Sequence, residues 1–142
     1  MLRLDRTLNF DWGTGSPDSR VPVDNFAVRW SGKIKPSTSA SYTFYTDTAG
    51  GVRLWVNGQL LVDNWTLHSL TTNTAKITLS AGTSYDIRVE YQHGTDCIGE
   101  VVVEQLELRQ DDRAAKRATR SLTTLTTLTT LADDGGLAYR LK

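Results

Sequence analysis

Cysteine is almost missing from this sequence: Cys97 is the only one in 142 residues. An intrachain disulfide framework and any metal site built on several thiolates are thereby excluded. Net charge is missing too, at +0 with 16 basic and 16 acidic residues, so no overall field draws the chain to nucleic acid or to an anionic membrane. No run of about 18 apolar residues is present, which excludes a helical membrane span. The opening residues, Met1 to Arg6, lack the apolar core of a secretory signal, so export is not encoded there. Catalytic patterns are equally scarce. Neither His68 nor His93 has a motif-spaced Ser or Cys nucleophile beside it, and no zinc-protease, phosphate-loop, nucleophile-elbow or dinucleotide pattern occurs. Cys97 lies close to His93, but spacing alone makes no dyad, and the chain reads as non-enzymatic.

What the sequence does contain is β-strand patterning, centred on residues 42–66. Residues 42–45, 53–56 and 59–63 are strand-like runs, and Asn57-Gly58 separates the last two. Asn-Gly between alternating β-formers predicts a type I′ hairpin, because both central residues of that turn need positive φ. Between the first two runs, residues 47–51 (Asp-Thr-Ala-Gly-Gly) predict a loop at the rim of any binding site. Upstream, residues 26–34 alternate, with Phe26, Val28 and Trp30 on one face and Ile34 further on, and Pro36 marks the turn that follows. Downstream, residues 67–75 read as a loop, 76–80 as a strand, 85–91 as a strand with Tyr85, Ile87, Val89 and Tyr91 on one face, and 100–106 as a last strand. No amphipathic helical period occurs before residue 107. Many short alternating strands bury their apolar faces best against a second sheet, which predicts an all-β fold, an antiparallel β-sandwich. The four Trp and five Tyr fall mostly at core positions, although such rings also serve as sugar-stacking platforms.

The pattern changes after Glu107, which divides the chain into a β domain, residues 1–107, and a tail, residues 108–142. The tail opens with a charged segment to Arg120, read as a short helix or a solvated linker. It continues with Leu122, Leu125, Leu128 and Leu131 separated by Thr pairs. A period of three fits neither helix nor strand, so the segment reads as low complexity. Asp133-Asp134-Gly135-Gly136 resembles part of an ion-binding loop but lacks the further oxygen ligands of an EF-hand.

Three acids, Asp47, Asp63 and Asp96, fall at or near strand ends, where carboxylates reach a hard cation such as calcium or simply cap turns. Asn64-Trp65-Thr66 fits the glycosylation acceptor pattern and equally fits a strand end.

Five blocks carry a family likeness. They are residues 8–17 (LNFDWGTGSP), 24–32 (DNFAVRWSG), 41–46 (SYTFYT), 51–65 (GVRLWVNGQLLVDNW) and 85–91 (YDIRVEY). In this order and spacing they resemble the protective-antigen-type domain, the PA-fourteen family. The resemblance implies a β-sandwich of jelly-roll or barrel-like form and a non-catalytic module of glycosidases, adhesins, flocculins and toxins, often binding carbohydrate. It implies an extracellular or cell-surface setting, with a glycan and a neighbouring catalytic or adhesin domain as partners.

In the sugar-binding members, two adjacent aspartates joined by a cis peptide hold a calcium ion that coordinates sugar hydroxyls. The matching positions here are Ala49 and Gly50, and only Asp47, upstream, is acidic. The same members use an Asn in the loop after the fifth block, near which this chain has His93. Calcium is the one cofactor the resemblance implies, but with the acidic pair lost the metal site does not carry over. Asp47 and Asp96 are the metal candidates left, and the alternative reading is a structural or interdomain spacer without ligand. The candidate sugar contacts are Asp47, Asp63, Asn64, His93 and Asp96. The family's opening Gly-Leu-x-Gly-x-Tyr-Tyr strand is not found here, and Val101 to Val103 replace its usual closing strand. The expectation is a fragment or a diverged end, with an unpaired sheet edge where the first strand would lie.

Overall fold

A computed structural model describes Leu8, residues 10–95 and the backbone of residues 102–103 and 108–110. Nine strands follow one another in these residues: β1 (Phe10–Asp11), β2 (Phe26–Ile34), β3 (Ala40–Thr48), β4 (Gly51–Val56), β5 (Gln59–Asn64), β6 (Thr71–Leu79), β7 (Tyr85–His93), β8 (Val102–Val103) and β9 (Leu108–Gln110). No helix occurs among the described residues. The strands pair antiparallel into a four-stranded sheet ordered β2-β7-β4-β5, a three-stranded sheet ordered β6-β3-β9 and a β1-β8 ribbon. This is the all-β sandwich that the alternating pattern predicts.

Period-two patterning fills the space between the sheets. Phe26, Val28 and Trp30 of β2, Leu54 and Val56 of β4, and Ile87, Val89 and Tyr91 of β7 are buried from one sheet. Tyr42 and Phe44 of β3 and Ile77 and Leu79 of β6 meet them from the other, forming one core cluster. Burying each of these side chains is worth about 1.5–3 kcal/mol, so this interface is the main source of stability. Phe10 and Trp12 extend the core, with Phe10 stacked 5.8 Å from Trp30 and Trp12 edge-on to Phe26 at 5.6 Å.

The Asn57-Gly58 turn has φ of 51° and 72°, as the hairpin signal requires. Two other expectations are corrected. The segment read as a loop over residues 67–75 is strand from Thr71, in register with β3 from Thr48↔Thr71 to Ala40↔Leu79. Its Thr-Thr-Asn-Thr run lacks apolar alternation because it carries a threonine-rich edge, and pairing to β3 rather than core burial holds it extended. Leu108–Gln110, read as helix or linker, is a strand on the opposite edge of β3. The Leu/Thr-rich repeat, Asp133-Asp134, Cys97 and Asp96 lie outside the described residues.

Candidate functional site

The corner between β3 and β4 is shorter than the loop expected over residues 47–51. Asp47 and Thr48 still belong to β3, and the chain crosses from one sheet to the other through Ala49 and Gly50 alone. Three groups fix this crossing. The Tyr91 hydroxyl donates to the Ala49 carbonyl at 2.6 Å, in a buried bond. Gly50 N–H donates to the His68 carbonyl at 2.8 Å. Gln92 Nε2 donates to the Trp65 carbonyl at 2.7 Å, which ties the loop after β5 to the end of β7. Leu67, half exposed, packs against Gly94 at this end, where a Cβ on Gly94 would stand only 2.5 Å from Leu67 Cδ1.

Gly50 has φ of 107°, a conformation that side-chain-bearing residues rarely adopt. A Cβ there would also collide with the Gln92 carbonyl oxygen and come within 3.1 Å of the Tyr91 ring and hydroxyl. The two positions that match the family's aspartates therefore offer no ligating side chain, and the Ala49 carbonyl is already satisfied by Tyr91. Among the described residues no group of three His, Cys, Asp or Glu side chains converges as a metal site does. Among the described residues, those at this corner do not fit a calcium ion.

The structure separates the candidate contacts. Asp47, near the end of β3, accepts from the Thr72 hydroxyl across the β3–β6 ladder. Strand parity turns Asp47 away from Thr46 and Thr48, both buried in the core, and so onto the outer side of the three-stranded sheet. Asp63 follows buried Val62 on β5 and lies on the outer side of the other sheet, where Arg53 Nε donates to it at 2.8 Å. Asn64, between them, donates from Nδ2 to Asn73 Oδ1 at 3.2 Å and accepts from Thr66 Oγ1 at 3.1 Å. Thus Asp47 and Asp63 occupy opposite faces, and Asn64 links the β5 and β6 edges.

His93 ends β7 and is 5% exposed, packed 5.0 Å from the Phe26 ring. Burial holds its pKa below the ordinary histidine value, with the Asp24 carboxylate, 3.7 Å from Nε2, opposing that shift. Its Nδ1 lies 3.4 Å from the Tyr91 hydroxyl oxygen. Since Tyr91 gives its one proton to Ala49, Nδ1 contributes there only as a donor. His93 is therefore a core residue that braces the corner. The groups that sequence reasoning missed, the carbonyls of Trp65 and His68 and the Gln92 amide, leave no residue-type signal, because any residue supplies a carbonyl.

The model of the PA14 domain matches residues 3–114. Over 93 residues the chain is 50% identical to anti-sigma-I factor RsgI3 of Acetivibrio thermocellus, a match covering 65% of this chain and 14% of that protein. The solved structure of an anti-sigma factor domain-containing protein superposes with a TM-score of 0.70 at 41% identity, covering 78% of this chain and 37% of the other. The GH31 alpha-xylosidase of Xanthomonas citri shares the fold at a TM-score of 0.62 and 23% identity, covering 84% of this chain and 13% of the enzyme. The chain thus spans only a minor part of the length of each of these three proteins. With the family model covering most of its length, this chain belongs to the PA14 domain family.

Proposed function

We propose that the chain is a non-catalytic carbohydrate-binding accessory module that holds a neighbouring catalytic or adhesin domain on a glycan, outside the cell or at its surface. The observation that carries this reading is the recurrence of the same sandwich as 13% of a glycosidase, the proportion of an appended module. Both histidines are engaged structurally, His68 Nδ1 beside the Ser69 carbonyl and His93 against Phe26 and Tyr91. In this reading binding needs no calcium ion held at the β3–β4 corner, because Ala49 and Gly50 supply no ligating side chain. Affinity gel electrophoresis against a broad panel of plant, fungal and bacterial glycans tests this, run with calcium and with chelator. Retardation by at least one glycan, equal in the two conditions, is the expected result; uniform mobility across the panel would sink the reading.

A second reading is favoured by the 50% identity to part of an anti-sigma-I factor and by the closed corner: a spacer that positions other domains and carries no ligand. The same electrophoresis separates the two, since a spacer shows no retardation on any glycan.

A further inference from the structure

Outward side chains of the four-stranded sheet fall into cross-strand rows. Arg29, Glu90, Arg53 and Asp63 stand in register across β2, β7, β4 and β5. Arg29 Nε meets Glu90 Oε1, and Arg53 Nε meets Asp63 Oδ1, both at 2.8 Å. In the next outward row Arg88 is level with Trp55, its guanidinium 3.9 Å from the ring centroid, and Leu60 beyond it is 47% exposed. Trp65 follows Asn64, the last residue of β5, which is level with Val52, and the Arg53 guanidinium sits 4.7 Å from the Trp65 ring centroid. Unlike Trp30, both indoles remain partly exposed.

We propose that this face binds an extended pyranose chain, with Trp55 and Trp65 as its two stacking points and Arg53, Asp63 and Arg88 as polar contacts. The proposal rests on the carbohydrate-binding reading and locates the ligand on the sheet, away from the closed corner. Three residues of β4 separate Trp55 from Val52, the level at which β5 ends before Trp65, about 10 Å at 3.3 Å per residue. That span exceeds one sugar ring and matches an oligomer laid along the strand. A guanidinium covers one face of each indole and holds the ring still, so a pyranose would lay its C–H face on the opposite face with little freedom lost on binding. The ion pairs between the rings present N–H donors and carboxylate acceptors side by side, which suits hydroxyl groups that both give and take hydrogen bonds. Arg88, whose Nε lies 3.8 Å from the Glu90 carboxylate, its ion-pair partner among the described residues, has donors that can reach a sugar hydroxyl or a uronate carboxylate.

The test follows the indole N–H resonances of the intact chain during titration with neutral β-glucan and xylan oligosaccharides in one arm and uronic-acid oligomers in the other. The expected result, in either arm, is that Trp55 and Trp65 move while Trp12 and Trp30 do not. Trp55→Ala and Trp65→Ala should each weaken binding roughly tenfold, as loss of an aromatic anchor does. A loss on Arg88→Gln confined to the uronate arm assigns that guanidinium to a carboxylate, and a loss in both arms assigns it to a hydroxyl. Binding that leaves both resonances still and is weakened instead by Asp47→Ala or Asn64→Ala would overturn the location but not the carbohydrate reading. No titration in either arm, with the native chain also unretarded on the glycan panel, would overturn both.

Discussion

The hydroxyl of Tyr91 and the carbonyl of Ala49, 42 positions apart in sequence, meet at 2.6 Å inside the sandwich. Tyr91 belongs to the four-stranded sheet and Ala49 to the crossing between sheets, so one side chain pins the only direct connection from β3 to β4. Tyr91→Phe keeps the ring, which is fully buried, and leaves the carbonyl without its donor. The expected loss is about 1–3 kcal/mol, the cost of a buried unsatisfied acceptor. Denaturant titration should show a lower midpoint with an unchanged slope.

Gly50→Asp recreates a family-like acid at the corner, yet it should not create a calcium site. The new Cβ meets the Gln92 carbonyl and the Tyr91 ring at a positive φ, so a loss on the order of 3 kcal/mol or more is expected. Thermal melts with and without calcium should coincide; a calcium-dependent rise in the melting temperature would disprove the steric account.

Gly58→Ala isolates backbone preference from packing. Nothing lies within 4 Å of a Cβ at Gly58, and its φ is 72°, so the whole cost comes from placing alanine in the left-handed region. About 1–2 kcal/mol is expected. The same substitution at Gly50 should cost clearly more, because collision adds to conformation there.

Stability should fall in mild acid through His93. Burial depresses its folded pKa below 6.5, so above that value the ring is neutral in both states and contributes no pH dependence. Below 6.5 the unfolded chain takes up a proton that the folded chain resists, and stability declines until pH passes the folded pKa. His93→Gln should flatten this part of the profile, measured as the denaturation midpoint between pH 8 and pH 5.

Where a residue's own chemistry decides local structure, the sequence was enough. Asn57-Gly58 requires positive φ and becomes the hairpin, and the alternation of Phe26, Val28, Trp30, Ile87 and Val89 becomes the core, because a strand turns successive side chains to opposite faces. The order of the sequence blocks likewise suffices for the family. Pairing decided the rest. Thr71 to Ala75 carry no alternating apolar signal, and only the neighbouring β3 makes them a strand. Asp47 and Asp63 look equivalent as strand-end acids, but they lie on different sheets and face opposite ways. Closure of the corner depends on carbonyls of Ala49, Trp65 and His68 that meet partners from distant segments. Backbone acceptors are the same at every residue, so where they converge is set by the packing of the sheets and not by the letters of the chain.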